Sequence, residues 1–201
     1  IIENKLKIAS QKYPGILLNV LSEFYFKQRE YDHAFDVKKD GSESGRININ
    51  DWQAFANECR KENQYKISIE AYNFILGQKI NSNWVGKALL GLAQTFEDQI
   101  IPSQESHLIP YFFDNNLFFE DPFQLNSTLS SEHLESSLAL YDSLLISLPK
   151  SPLLAEAYFR LSEIKYRILH DFDQAYNLLH KAMQNKPDKR LRLKIVLRIA
   201  D

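Results

Sequence analysis

The sequence predicts an all-α fold, a solenoid of stacked helical hairpins. Apolar residues recur at three-to-four spacing along most of the chain, as in amphipathic helices. Only 6 Gly and 7 Pro occur in 201 residues, too few for a turn-rich all-β fold. A pattern of six residues also recurs after 34 positions, and a fixed period of this length is typical of repeat solenoids. The first copy comprises Leu18, Leu21, Ser22, Tyr25, Tyr31 and Ala34, and the second comprises Trp52, Phe55, Ala56, Cys59, Tyr65 and Ser68.

The hairpin pattern is clearest in AEAYFRLSEIKYRILHDFDQAYNLLHKAMQNKP, residues 155–187. It predicts two amphipathic helices with a turn at His170-Asp171, where Asp171 is the N-cap and Gln174 can complete a capping box. The segment resembles the tetratricopeptide repeat, whose order is large, Leu, small, aromatic, Ala, aromatic or Leu, Ala, Pro. The aromatic stands one place late, which predicts one extra residue in the turn near Leu169. The matching residues are Tyr158, Leu161, Ser162, Tyr166, Ala175, Leu179, Ala182 and Pro187.

This resemblance implies a single right-handed helical-hairpin solenoid over residues 1–201. The predicted parts are a half repeat at 1–13, repeats at 15–47, 48–80, 84–149 and 152–187, and a terminal helix at 188–201. The chain does not open on Met, so we expect a piece of a longer protein. In the repeat at 15–47, Gly41 and Gly45 predict a second helix that is short or frayed after about Lys39, because each glycine costs roughly 1 kcal/mol in a helix interior. Asn48 or Asn50 is then expected to cap the helix that follows.

The repeat at 84–149 carries a long aromatic-rich insertion, at about residues 100–131. Loops this long are uncommon in compact domains and are often functional. Three interpretations stay open: the segment fills the groove of its own solenoid, it covers an edge between repeats, or it presents aromatic anchors to a partner. Its aromatic residues are Tyr111, Phe112, Phe113, Phe118, Phe119 and Phe123.

The resemblance also implies a binding face, because the first helices of tetratricopeptide repeats line the concave side where ligands dock. The predicted residues are mixed in charge and lack the lysine and asparagine clamp of chaperone-tail binders. A solvated groove without a strong ligand is the alternative. The predicted face comprises Glu23, Phe26, Lys27, Asn57, Arg60, Lys61, Gln94, Glu97, Asp98, Glu163 and Arg167.

No residue pattern in the sequence predicts catalysis, a cofactor or a metal site. The 5 His and the single Cys59 form no ligand motif, and Cys59 falls on a packing position of the repeat. A formal net charge of -2 gives no general attraction to nucleic acid. No apolar run approaches the roughly 18 residues of a membrane span. The basic stretch from Lys186 to Arg198 surrounds its helix, which favours a solvated outer face or a contact with a further repeat over nucleic-acid binding.

These features predict a non-catalytic protein–protein interaction scaffold with a protein or peptide ligand. LPKSPLLAEAYFRLSEI, residues 148–164, resembles repeats of bacterial cell-envelope proteins, namely outer-membrane assembly lipoproteins and the Tol-Pal coordinator. That resemblance implies a periplasmic or outer-membrane location, with the cytoplasm left open. The alternative is a regulatory or recruiting domain of a larger enzyme or signalling protein. RNA binding predicts a basic concave face, which the mixed charges do not supply.

Overall fold

The computed structural model describes residues 16–43, 48–100 and 128–200, and every regular element in these ranges is a helix. The predicted half repeat at 1–13 and the six insertion aromatics lie outside the described residues. Within the described ranges, no helix has both the length and the hydropathy that crossing a membrane requires. The helices are α1 (Ile16–Lys27), α2 (Tyr31–Glu43), α3 (Ile49–Lys61), α4 (Tyr65–Leu76), α5 (Ser82–Ile100), α6 (Thr128–Ser147), α7 (Leu154–Arg167), α8 (Phe172–Gln184) and α9 (Lys189–Ala200).

Consecutive helices pair into hairpins, α1 with α2, α3 with α4, α5 with α6 and α7 with α8. The chain divides into two compact units, Ile1–Ile80 and Asn81–Asp201. In the first unit the two hairpins meet through α2 and α4. In the second unit α6 packs on α7, and α9 packs on α8. The predicted all-α, helical-hairpin fold is confirmed.

The two helices of a hairpin approach closely at the small residues of the repeat pattern. In three hairpins a buried serine hydroxyl on one helix donates to an alanine carbonyl on the other, which satisfies a polar group that would otherwise be costly to bury. The serine lies on the first helix in the first hairpin and on the second helix in the other two, but the same pair of small positions of the pattern meets in all three. The bonds join Ser22 to Ala34 (2.6 Å), Ser68 to Ala56 (3.0 Å) and Ser137 to Ala93 (3.1 Å).

The turns within the hairpins follow the same repeat. Arg29 and Asn63 adopt positive φ of 63° and 58°, and the next amide in each turn donates to a carbonyl five residues back. In the turn between α7 and α8, the Asp171 amide donates to the Lys165 carbonyl, six residues back. The extra residue predicted near Leu169 is therefore present. Asp171 caps α8 by accepting from the Gln174 amide at 3.1 Å, as predicted.

Helix α2 ends at Glu43, so the prediction that it frays after about Lys39 was wrong. Gly41 is buried. The Ser42 hydroxyl donates to the Lys38 carbonyl at 3.0 Å and accepts from the Trp52 indole at 2.8 Å. These bonds hold the last turn of α2 against α3, which offsets the low helix propensity of glycine. Asn48 caps α3, as one of the two predicted candidates.

Candidate functional site

A cleft of about 300 Å³ lies in the first unit, between α1 and α3. Both are the first helices of their hairpins, which are the helices that carry the predicted binding face. Residues of α1, α2 and α3 line it: Asn19, Ser22, Glu23, Phe26, Lys27, Lys38, Asp51, Ala54, Phe55 and Glu58.

Aromatic rings form the inner wall of the cleft. Phe26 and Phe55 meet edge to face with their ring centroids 5.7 Å apart, and Phe26 also contacts Tyr31 at 5.1 Å. Phe55 is buried, whereas Glu23 and Glu58 at the rim are exposed. An apolar centre surrounded by a polar rim is the usual anatomy of a protein-binding surface.

Lys38 brings a buried positive charge to the cleft from α2. The residue is only 6% exposed, and its Nζ lies 3.4 Å from Asn19 Oδ1. Nζ also lies 5.7 Å from the ring centroids of Trp52 and Phe55. Burial lowers the pKa of Lys38, although the carboxylates of Asp51 and Glu23 act in the opposite direction. The ammonium is therefore shielded from water and held by aromatic faces, one amide oxygen and the field of nearby carboxylates.

The charges around the cleft balance. Glu23, Asp51 and Glu58 line it together with Lys27 and Lys38, and Glu58 also pairs with Lys61 at 2.7 Å. In the described ranges no three His, Cys, Asp or Glu residues are arranged to hold a metal ion.

The predicted face residues of the first unit divide between two places. Glu23, Phe26 and Lys27 line the cleft, whereas the three residues predicted on α3 do not. The Asn57 side chain accepts from the Tyr72 hydroxyl at 2.6 Å. Arg60 is half-buried, and Lys61 is exposed and pairs with Glu58 at 2.7 Å.

Glu97, predicted on the face of the second unit, is buried and only 4% exposed. Its carboxylate accepts from the Tyr141 hydroxyl of α6 and from Arg160 of α7, with Nη1 and Oε1 3.3 Å apart. Burial raises the pKa of Glu97, while the positive charge of Arg160 opposes that rise. Glu97 therefore joins three helices from within. The neighbouring Gln94 and Asp98 are half-buried.

Glu163 of α7 is also bound within the second unit. Arg198 of α9 holds it in a two-pronged ion pair, with Nε to Oε1 at 2.7 Å and Nη2 to Oε2 at 3.0 Å. The two side chains are 12% and 15% exposed. Arg167, the last predicted face residue, is half-buried.

A second cavity, of about 310 Å³, lies in the second unit beside the start of α5 and the α6–α7 linker. None of its lining residues is buried, and its one charged residue, Lys150, is exposed. It offers no enclosed polar group to orient a ligand. The cleft between α1 and α3 is therefore the better candidate site.

Sequence reasoning missed Asn19, Lys38, Asp51, Ala54 and Glu58 of the cleft. Lys38 did carry a signal, because it stands four residues after Ala34 in the stripe that the repeat pattern buries. A lysine within such a stripe is unusual, since lysine is rarely buried unless paired.

Comparisons with known proteins add little to this description. No protein-family model matches the chain, and no curated protein matches it. Among solved structures, the chain is similar to a tetratricopeptide repeat protein from Parabacteroides merdae ATCC 43184, with 15% sequence identity and a TM-score of 0.34. The match covers 99% of this chain and 91% of that chain. Similarity at this level carries nothing about function, and the fold assignment rests on the hairpins described above.

Proposed function

We propose that the chain is a non-catalytic protein-binding scaffold that holds a short peptide segment of a partner in the cleft between α1 and α3. The observation that supports this most directly is the aromatic inner wall around Phe26 and Phe55, enclosed by a charged rim. The volume is near the lower limit for ligand pockets in proteins, which suits a few side chains of an extended segment. Apart from Glu97, which is buried and cannot contact a ligand, the remaining predicted face residues stay predictions within this proposal.

A cell-envelope setting, in the periplasm or at the outer membrane, is part of the same proposal. It is supported by the resemblance of residues 148–164 to repeats of bacterial envelope proteins. The second candidate is a regulatory or recruiting domain of a larger enzyme or signalling protein. The flanking sequence separates the two: a signal peptide followed by a lipidated cysteine favours the envelope, whereas a catalytic domain favours the alternative.

The test fills the cleft without changing its charge. Ala54 is exposed and lines the cleft, so Ala54→Trp places a bulky side chain in the space a peptide would use. Asn73→Trp, at an exposed position on α4 that does not line the cleft, is the matched control. Peptides selected from a random displayed library against the natural chain are titrated against both variants. We expect Ala54→Trp to abolish binding and Asn73→Trp to preserve it; peptides that bind both variants equally would refute the proposal.

A further inference from the structure

Helix α9 buries one apolar face and leaves a second apolar face exposed. Leu191 and Ile195 are 9% and 0% exposed, in a core that they share with residues of α7 and α8. At 3.6 residues per turn, a second set of apolar residues falls on the opposite side of the helix and forms one continuous row. This row, the α9 stripe, comprises Leu193 (61% exposed), Val196 (48%), Leu197 (46%) and the exposed Ala200.

The positions that Val196 and Leu197 occupy are buried in all four hairpins. Their counterparts in the first helices are at most 8% exposed. In three hairpins the serine–alanine bonds described above show that this side of the first helix faces the second helix. Within the described ranges no helix follows α9, and its stripe lacks the cover that the other first helices have. The counterpart pairs are Leu21 and Ser22, Phe55 and Ala56, Leu92 and Ala93, and Leu161 and Ser162.

The α9 stripe is poorly suited to another helix. All four counterparts of Leu197 are serine or alanine, and these small residues let the two helices of a hairpin approach closely. The larger side chain of Leu197 prevents the same close approach. A helix from a further repeat, or from a second copy of this chain, would therefore pack less well here than in the four hairpins.

Four exposed cations flank the α9 stripe. They outnumber the two carboxylates at the ends of the helix, Asp188, which caps α9 by accepting from the Leu191 amide, and Asp201. Two such surfaces repel each other, so pairing with the same face of a second copy is disfavoured, and an apolar occupant that carries negative charge is favoured. The cations are Lys189, Arg190, Arg192 and Lys194.

Residues 101–127, which lie outside the described ranges, have this chemistry. They include the six aromatic residues of the insertion and four carboxylates, and they contain no Lys or Arg. The other stretches of several residues outside the described ranges, 1–15 and 44–47, are both net positive. Charge complementarity therefore favours residues 101–127. Their carboxylates are those of Glu105, Asp114, Glu120 and Asp121.

Residues 101–127 also begin within reach of α9. They follow Ile100, one turn after Glu97, which is bonded to Arg160 of α7. One turn further along α7, Glu163 is bonded to Arg198 of α9. Two ion pairs and two helical turns, roughly 30 Å in all, join the start of the segment to α9, whereas half of the segment can extend about 40 Å.

We propose that residues 101–127 cover the α9 stripe, with their aromatic side chains packed on it and their carboxylates paired with the flanking cations. This inference is independent of the proposed function, because the cleft between α1 and α3 lies in the first unit. Of the interpretations open for the insertion, it favours an internal structural role over the presentation of aromatic anchors to a partner.

Limited digestion with chymotrypsin, which cuts after aromatic residues, tests whether the segment is covered. Leu197→Asp places a charge in the stripe, and Ile146→Asp is the matched control, since Ile146 of α6 is 80% exposed and lies outside the stripe. We expect cleavage within residues 101–127 to be about tenfold faster in Leu197→Asp than in the natural chain and unchanged in Ile146→Asp. Proteolysis follows the population of the released segment, and losing the contacts of one leucine shifts that population by about this factor.

A carbodiimide, which joins carboxylates directly to amines, tests the pairing of charges. We expect Lys189 or Lys194 to be linked to residues 101–127, whereas Lys150, an exposed lysine elsewhere in the second unit, is not. A mixture of isotope-labelled and unlabelled protein distinguishes links within one chain from links between chains. Replacing the four carboxylates with amides should also speed chymotrypsin cleavage, because it removes the attraction to α9 without altering that helix.

Three results would overturn the inference. Equal cleavage of Leu197→Asp and Ile146→Asp would show that the segment does not depend on the stripe. Links that join only different chains would assign the stripe to a second copy of the protein. Links to Lys150 without links to Lys189 or Lys194 would place the segment elsewhere. If Leu197→Asp loses helical circular dichroism, the amide variant, which leaves α9 intact, decides the test: cleavage at the natural rate would reject the inference.

Discussion

Arg160→Met should destabilise the second unit by removing the only cation bonded to the buried Glu97 within the described residues. At 3.3 Å and an effective dielectric constant of about 20, two unit charges attract by about 5 kcal/mol. The Arg160 side chain is 30% exposed, so solvent screening lowers this figure. We expect the free energy of unfolding to fall by about 3 kcal/mol, near the usual cost of leaving one partner of a buried pair.

The loss of unfolding free energy caused by Arg160→Met should grow as pH rises. Burial already raises the pKa of Glu97, and removing Arg160 raises it further. A carboxyl whose pKa is higher in the folded than in the unfolded state binds a proton on folding. Its contribution to stability is therefore full below the unfolded pKa, about 4.3, and is lost as pH rises through the folded pKa. The deficit of Arg160→Met should be smallest near about pH 5 and larger near about pH 8.

Urea unfolding followed by fluorescence can measure this deficit in the second unit alone. Trp84 lies in α5, and replacing Trp52 with Phe removes the signal from the first unit. Adding Glu97→Gln to Arg160→Met should restore stability, mostly at high pH, because the amide oxygen still accepts from Tyr141 without carrying a charge. Arg192→Met, at an exposed site on α9, is the control. A deficit that is equal at both pH values, or no rescue by Glu97→Gln, would refute the reasoning.

Three further predictions concern packing and burial. Cys59 is 0% exposed and burial raises its pKa to about 12, so at about pH 8 a thiol reagent should react far faster with urea-unfolded than with native protein; equal rates would contradict this. Ser137→Ala removes the bond to the Ala93 carbonyl and should cost about 1 kcal/mol in urea unfolding, and an unchanged midpoint would show that the bond contributes nothing. Arg198→Ala leaves Glu163 unpaired, which should cost about 2 kcal/mol and speed hydrogen exchange in α9; unaltered exchange there would argue against it.

The fold was largely predictable from the sequence, because its determinants are local and repeated. The three-to-four spacing predicts the helices, and the 34-residue shift from Leu21 to Phe55 predicts equivalent hairpins. Both residues are buried, at 2% and 8% exposed. Tyr166, the aromatic that stands one place late in the pattern, also predicted the extra residue in the turn near Leu169. Helix periodicity and turn length can both be read from the order of residues along one hairpin, without knowledge of distant contacts.

The partners of the polar core residues could not be predicted in this way. Glu97 was expected on the binding face, together with Gln94 and Asp98, because the resemblance to tetratricopeptide repeats implies that this side of the first helix docks ligands. It is buried because Arg160 approaches from 63 residues away in the sequence. Lys38 is likewise enclosed by Trp52 and Phe55 of the next hairpin. Periodicity within one helix contains no information about such distant partners.

The bond from Ser137 to Ala93 has a consequence for how this chain can evolve. It matches the bonds of the first two hairpins, although 44 residues separate its ends instead of 12. Loop-closure entropy grows only with the logarithm of the sequence separation, so a contact across 44 residues costs only about 1 kcal/mol more than one across 12. Helix pairing is thus nearly independent of what joins the helices. The number of residues between α5 and α6 can therefore change while the two helices keep the same pairing.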